Sequence, residues 1–186
     1  MRDFNWTPGI GDPSLIGWLT VVLYLVTAFL CWRVARRLGS TGASVRSEAF
    51  VWAAIAILFL ALGINKQLDL QSAFTEIGRH VALKQGWYER REIVQLYFIE
   101  GVAAVCVLAA ASLAVLIRKA PASAWLAVLG TGVVLTFVAI RAASFHHIDR
   151  FIGTTVLGLR WNWILEIGGI LIVLVAARMR ASLLAR

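Results

Sequence analysis

The sequence has few charged residues and few cysteines, and each shortage excludes a class of protein. Only 15% of its 186 residues are charged and 60% are hydrophobic, whereas a soluble domain is about 25% charged and about 45–50% apolar. Two cysteines are too few for a disulfide-rich secreted fold, and the 15 glycines show no collagen-like period. The chain has instead a mean hydropathy of +0.80. We therefore expect a polytopic membrane protein.

Five stretches are long and apolar enough to cross a bilayer as helices, because a span needs about 20 mostly apolar residues. They are residues 14–34, 49–65, 93–117, 125–145 and 161–177. The sequence predicts an all-α integral membrane protein with five transmembrane helices, forming a single domain over residues 1–186. The start of the chain lacks a basic n-region and a small-residue cleavage site, so we expect the first span to be retained as an anchor.

The formal charge of +8 lies on one side of these spans. Five spans place the two termini on opposite sides, and nine bases then share one side with a single acid, Glu48. These bases are Arg33, Arg36, Arg37, Arg46, Arg118, Lys119, Arg178, Arg180 and Arg186. By the positive-inside rule that side is cytoplasmic, which predicts an outer N-terminus and an inner C-terminus. Nucleic-acid binding loses its support, because the excess charge is spread over loops that flank spans.

The predicted outer side carries most of the polar functional groups, in two segments. Between the second and third spans, apolar residues recur at helical spacing from Leu70 to Val81, which predicts an outer amphipathic helix lying in the membrane interface. Its opposite face carries Asp69, Glu76 and His80. The second segment precedes the last span, and its residues 151–159 are typical of a re-entrant or interfacial stretch. This segment also contains Arg141, His146, His147, Asp149, Arg150 and Arg160.

Two carboxylates lie deeper, inside predicted spans. Glu100 falls in the third span, and Glu166 shares a face of the fifth with Asn162. A carboxylate in hydrocarbon is expensive, so both should face the bundle and meet a base, a metal or a water-filled cavity. Arg141 and Arg160, at the outer ends of neighbouring spans, are the predicted partners. A structural ion pair and a ligand-binding cavity both fit this arrangement.

The favoured function is binding of a lipid or membrane-embedded ligand, or service as a subunit of a membrane complex or homo-oligomer. The ligand-binding candidates are Arg141, Arg150, Arg160, Asn162 and Glu166. Helix contacts in membranes use small residues, and these are available at Gly130, Gly168 and Gly169, for packing between chains or within one. The compact Ala-, Val- and Arg-rich chain favours the bacterial cytoplasmic (inner) membrane.

Two alternatives remain open. The first is a zinc-dependent hydrolase or transferase acting on a lipid or lipid-linked substrate, with Glu76 or Glu100 as catalytic base. Its candidate metal ligands are Asp69, His80, His146, His147 and Asp149. In residue types alone this inventory is similar to that of intramembrane ceramidase-type hydrolases, which have seven spans and other spacings, so no residue role carries over. The second is haem or quinone electron transfer, which the position of every histidine at or beyond a span end disfavours.

Overall fold

The computed structural model describes residues 12–40, 45–68, 70–86, 91–142, 155–156 and 159–185. These residues form six α-helices and one short strand pair, so the all-α prediction is confirmed. The helices are α1 (Leu15–Gly39), α2 (Arg46–Leu68), α3 (Leu70–Lys84), α4 (Arg91–Leu116), α5 (Ala122–Ala142) and α6 (Trp161–Leu183). Within the stretch predicted to be re-entrant or interfacial, the two-residue strand β1 (Thr155–Val156) pairs antiparallel with β2 (Leu159–Arg160).

Local signals in the sequence explain where several helices begin and end. The Ser14 hydroxyl oxygen accepts a hydrogen bond from the Gly17 amide at 3.0 Å and so caps the first turn of α1. Gly86, with φ of 74°, follows the last turn of α3 in the left-handed conformation that ends helices. Pro121 precedes α5, where its fixed φ and missing N–H suit a helix start.

The long helices pack side by side, and the most extensive contacts, of α1 with α2 and of α5 with α6, join antiparallel helices. Helix α1 lies between α2 and α6, and α5 packs against the far side of α6. Tyr24, early in α1, meets Phe59 late in α2, with ring centroids 5.6 Å apart and ring planes at 62°. Two helices are antiparallel when early residues of one contact late residues of the other. Helix α2 therefore runs opposite to α1, α5 runs opposite to α6, and α1 and α6 run in the same direction.

The contact between α5 and α6 depends on two glycines. A Cβ atom built on Gly130 would lie 3.0 Å from the Gly169 carbonyl oxygen and 2.8 Å from side-chain carbons of Ile172 and Val173. A Cβ atom on Gly169 would lie 2.7 Å from a Val134 methyl carbon. The two backbones therefore approach at a distance that side chains would prevent, as small residues permit in membrane helices. The predicted packing role of these glycines is fulfilled within one chain.

The outer surface of this bundle is apolar. Along α1, large apolar side chains at Trp18, Val22, Leu25, Phe29 and Trp32 are all exposed, each between 42% and 58%. Their spacing of four and three residues makes one stripe on the face turned away from the other helices. Within the described residues, α1 and α2 are long and apolar enough to cross a membrane, judged by length and composition.

Candidate functional site

A buried polar cluster joins three helices at the end of the bundle where α1 and α6 begin and α2 ends. We call it the Lys66 cluster, and it consists of Tyr24, Lys66 and Glu166. The ammonium of Lys66 donates to Glu166 Oε2 at 2.8 Å, and the Tyr24 hydroxyl donates to Glu166 Oε1 at 3.3 Å. Both carboxylate oxygens are thereby satisfied, although the Glu166 side chain is only 4% exposed.

The three side chains meet because each helix supplies its residue at the same level. Tyr24 lies on the α1 face that packs against α2, and Lys66 is in the last turn of α2. Glu166 lies in the second turn of α6, on the face turned towards α1. The cluster carries no net charge, since one ammonium neutralises one carboxylate. The Lys66 ammonium has three N–H donors and is 15% exposed, so it keeps donor capacity beyond its bond to Glu166.

Gln67, the residue after Lys66, has a buried side-chain amide that lacks a partner. Neither its nitrogen nor its oxygen makes a hydrogen bond within the part of the chain that the structure describes. A buried polar group without a partner costs about 1–3 kcal/mol, so such groups are rare in native proteins. Two other buried side-chain oxygens share this condition, those of Thr27 and Ser123. Gln67 differs from them because two of its polar atoms, the amide nitrogen and the carbonyl oxygen, are buried without a partner, whereas each hydroxyl has one such atom.

A second polar cluster lies at the opposite end of the bundle, where α2 begins and α6 ends. We call it the Glu48 cluster. The guanidinium of Arg180 donates from Nε to Glu48 Oε1 and from Nη2 to Glu48 Oε2, both at 2.8 Å. The Trp52 indole N–H also donates to Glu48 Oε1, at 3.1 Å. This two-bond pairing fixes geometry more strictly than a single contact does.

The two clusters lie at opposite ends of the same pair of helices. Along α2, 18 residues separate Glu48 from Lys66, or about 27 Å at 1.5 Å per residue. Along α6, 14 residues separate Glu166 from Arg180, or about 21 Å. The acid of each helix meets the base of the other, which confirms that α2 and α6 run antiparallel. The helix surfaces between the clusters are apolar over a length close to the hydrocarbon core of a bilayer, about 30 Å.

The sequence correctly predicts that Glu166 faces the bundle and finds a base, and within the described side chains that base is Lys66. The predicted partners are Arg141 and Arg160, whereas the structure places Lys66 and Tyr24 on the two carboxylate oxygens. Lys66 reaches Glu166 because its long side chain extends from the end of α2, a helix that packs on the far side of α1. The side chains of Arg141, Arg160 and Asn162 lie outside the described residues, although their backbones belong to α5, β2 and α6.

Glu100 does not face the bundle, contrary to the prediction. It lies on an exposed face of α4 that also presents Tyr97, which is 69% exposed. Glu76 and His80 are half-buried on α3, whose span matches the predicted amphipathic helix. Asp69, His146, His147, Asp149 and Arg150 lie outside the described residues. The structure therefore neither brings the predicted zinc ligands together nor excludes that they meet. Within the described part of the chain, no group of three His, Cys, Asp or Glu residues could hold a metal ion.

Sequence reasoning overlooks the residues that complete both clusters. The sequence places Lys66 in the final turn of a short span. It directly follows an apolar run, and this is the depth at which a buried acid needs a base. Glu48 is the single acid among nine bases on its predicted side of the membrane, and this pattern indicates a specific ion pair. Comparison of the chain with protein-family models, with curated proteins and with solved structures finds no match.

Proposed function

We propose that the chain is an integral membrane protein with five spans, α1, α2, α4, α5 and α6, whose outer end binds a membrane lipid. The Lys66 cluster and Gln67 then lie at the extracytoplasmic level, and the Glu48 cluster lies at the cytoplasmic level. The chain acts as a non-catalytic ligand-binding protein at this site. The observation that supports a ligand at this site is the buried, unpartnered side-chain amide of Gln67.

The distribution of apolar and polar side chains supports insertion in a membrane. Water-soluble bundles bury their large apolar residues, and a contiguous exposed apolar surface is rare in them. Here every long helix exposes large apolar side chains while the interior holds two ion pairs and several threonines. Beyond α1, the exposed side chains include Ile57, Ile64, Val105, Leu108, Trp125, Leu129, Leu171 and Val175. Lipid is the surrounding medium that suits such a surface.

The charge pattern supports the orientation. The end of the bundle with the Glu48 cluster also receives the C-terminal ends of α1 and α4, where the exposed bases Arg36, Arg37, Arg118 and Lys119 lie. An excess of bases marks the cytoplasmic side of a membrane protein. The N-terminus of α1 then faces outward, at the same level as the Lys66 cluster.

The chemistry of the outer site favours a lipid headgroup that is neutral overall. The ion pair contributes no net charge, so among the described side chains of the cluster a bare anion finds no uncompensated positive charge. Gln67 offers N–H donors and a carbonyl acceptor, and Lys66 offers further N–H donors. A zwitterionic phosphatidylethanolamine headgroup has a phosphate that accepts and an ammonium that donates, and so matches both kinds of group. We assign phosphatidylethanolamine as the ligand class on this ground.

The test replaces Gln67 with leucine, which has a similar volume and no polar atoms. The delipidated protein is titrated in detergent with phosphatidylethanolamine or phosphatidylglycerol, and bound lipid is counted by native mass spectrometry. If the amide contacts the headgroup, Gln67→Leu weakens phosphatidylethanolamine binding by about two- to twelvefold for each hydrogen bond lost. The wild-type protein should prefer phosphatidylethanolamine to phosphatidylglycerol.

The matched control is Ser123→Ala, because Ser123 also carries a buried oxygen without a partner but lies at the start of α5, at the opposite end of the bundle. This change should leave lipid binding unchanged and should not lower stability. A Gln67→Leu protein that becomes more stable and binds lipid as wild type does would show that the amide is merely unsatisfied. Equal binding of the two lipids would overturn the headgroup assignment.

A further inference from the structure

The face of α4 turned away from the bundle has no partner along its length. Exposed side chains recur from Ile93 to Val115, a length of about 33 Å. The helix contacts α2 and α5 only slightly, and among the described side chains those that join the core here are Leu113 and, just after the helix, Ile117. This exposed face is as long as the hydrocarbon core of a bilayer, so one whole side of α4 is open to lipid or to another helix.

The middle of this face carries a carboxylate. Glu100 is exposed and joins none of the hydrogen bonds or ion pairs made by the described residues. Nine residues, or about 14 Å, separate it from Arg91 at the start of α4, which places it within the hydrocarbon layer if α4 spans the membrane. Ionisable side chains at that depth almost always pair with an opposite charge, because lipid offers no hydrogen bonds.

Small residues next to Glu100 leave room for a second helix. Gly101 and Ala104 are exposed on the same face, and a Cβ atom on Gly101 would meet nothing within 4 Å. Small residues allow two helix backbones to approach closely, which brings polar side chains within bonding distance. Gly130 of α5 and Gly169 of α6 are already used within the chain, whereas Gly101 is open.

We propose that the exposed face of α4 docks a transmembrane helix of another protein that carries a lysine or arginine at the depth of Glu100. Charge selects this occupant over a second copy of the chain. A symmetric pair of copies would oppose two carboxylates, and among the described residues the base nearest that level is Lys66, which is already bound to Glu166. The proposal rests on the proposed membrane insertion of α4, and it concerns a surface distinct from the Lys66 cluster.

The test uses a defined partner. The purified protein is reconstituted in phosphatidylcholine and phosphatidylglycerol vesicles with a synthetic transmembrane peptide of leucine and alanine that carries one lysine at the depth of Glu100. Energy transfer between a dye on the protein and a dye on the peptide reports binding. The lysine peptide should bind about tenfold more tightly than the same peptide with leucine there, as an intramembrane polar contact allows. Glu100→Leu should abolish that preference.

A steric variant and its control test the position of the contact. Gly101→Leu should weaken binding of the lysine peptide, whereas Gly132→Leu should not, although Gly132 of α5 is also exposed with nothing within 4 Å of a built Cβ atom. The proposal fails if both peptides bind equally to wild type. It also fails if labelled copies of the protein associate with one another and Gly101→Leu abolishes that association, because the occupant is then a second copy.

Failure of docking can be told from failure of membrane insertion. In a cysteine-free background, a single Ala104→Cys variant in the same vesicles is treated with a water-soluble maleimide, and Lys84→Cys serves as the exposed control. Protection of the first with labelling of the second shows that α4 is inserted, so absent peptide binding then overturns the docking proposal alone. Labelling of both overturns insertion of α4 and docking together.

Discussion

The Lys66 cluster predicts an unequal response to removal of its two charges. Lys66→Met leaves the Glu166 carboxylate charged and only 4% exposed, with the Tyr24 hydroxyl as its remaining partner. Removing one member of a buried ion pair costs about 3–5 kcal/mol, because the other charge stays desolvated. We expect Lys66→Met to lower the free energy of unfolding by an amount in that range.

Glu166→Gln should cost less. The Lys66 side chain is 15% exposed at the end of α2, and a long lysine side chain can extend its ammonium to the membrane surface. The glutamine oxygen can still accept from Tyr24, so the expected loss is about 1.5–3 kcal/mol, the range for one hydrogen bond to a charged group. The double variant Lys66→Met/Glu166→Gln removes both charges and should be more stable than Lys66→Met alone.

The assay is equilibrium unfolding of the four proteins in mixed micelles, followed by the fluorescence of the eight tryptophans. Lys119→Met, at an exposed lysine, controls for the substitution itself and should change stability by less than about 0.5 kcal/mol. A larger loss in Glu166→Gln than in Lys66→Met would refute the reasoning. A double variant whose loss equals the sum of the two single losses would show that the charges do not interact.

Three further changes test other contacts, each by thermal unfolding in detergent. Gly130→Ala should lose about 1–3 kcal/mol because its methyl group meets α6, whereas Gly132→Ala should lose nothing; equal effects would contradict the close approach of α5 and α6. Arg180→Lys breaks one of two bonds to Glu48 and should cost about 1.5–3 kcal/mol; wild-type stability would argue against the two-bond pair. Ser14→Ala removes the α1 cap and should cost about 0.5–2 kcal/mol, with Ser14→Asp retaining most of it; a neutral alanine would show that the cap contributes nothing.

Much of the helical framework can be predicted from the sequence, because local composition indicates where helices form. Runs of about 20 apolar residues predict the long helices, and helical spacing from Leu70 to Val81 predicts α3. The ends are also local: a serine cap, a left-handed glycine and a proline mark several of them. The need of a buried carboxylate for a base depends only on solvation, so the sequence predicts that Glu166 faces a partner.

Tertiary structure decided which partner each polar residue finds. Lys66 and Glu166 are 100 residues apart and meet only because α2 and α6 both pack against α1. Glu100 has the same chemistry as Glu166 and also lies inside a predicted span, yet its side chain is exposed on α4 whereas Glu166 contacts α1 and α2. Hydropathy measures how strongly a residue prefers lipid to water, but it carries no information on the rotation of a helix about its axis. That rotation follows from the packing of neighbouring helices, and it separates a buried ion pair from an exposed carboxylate.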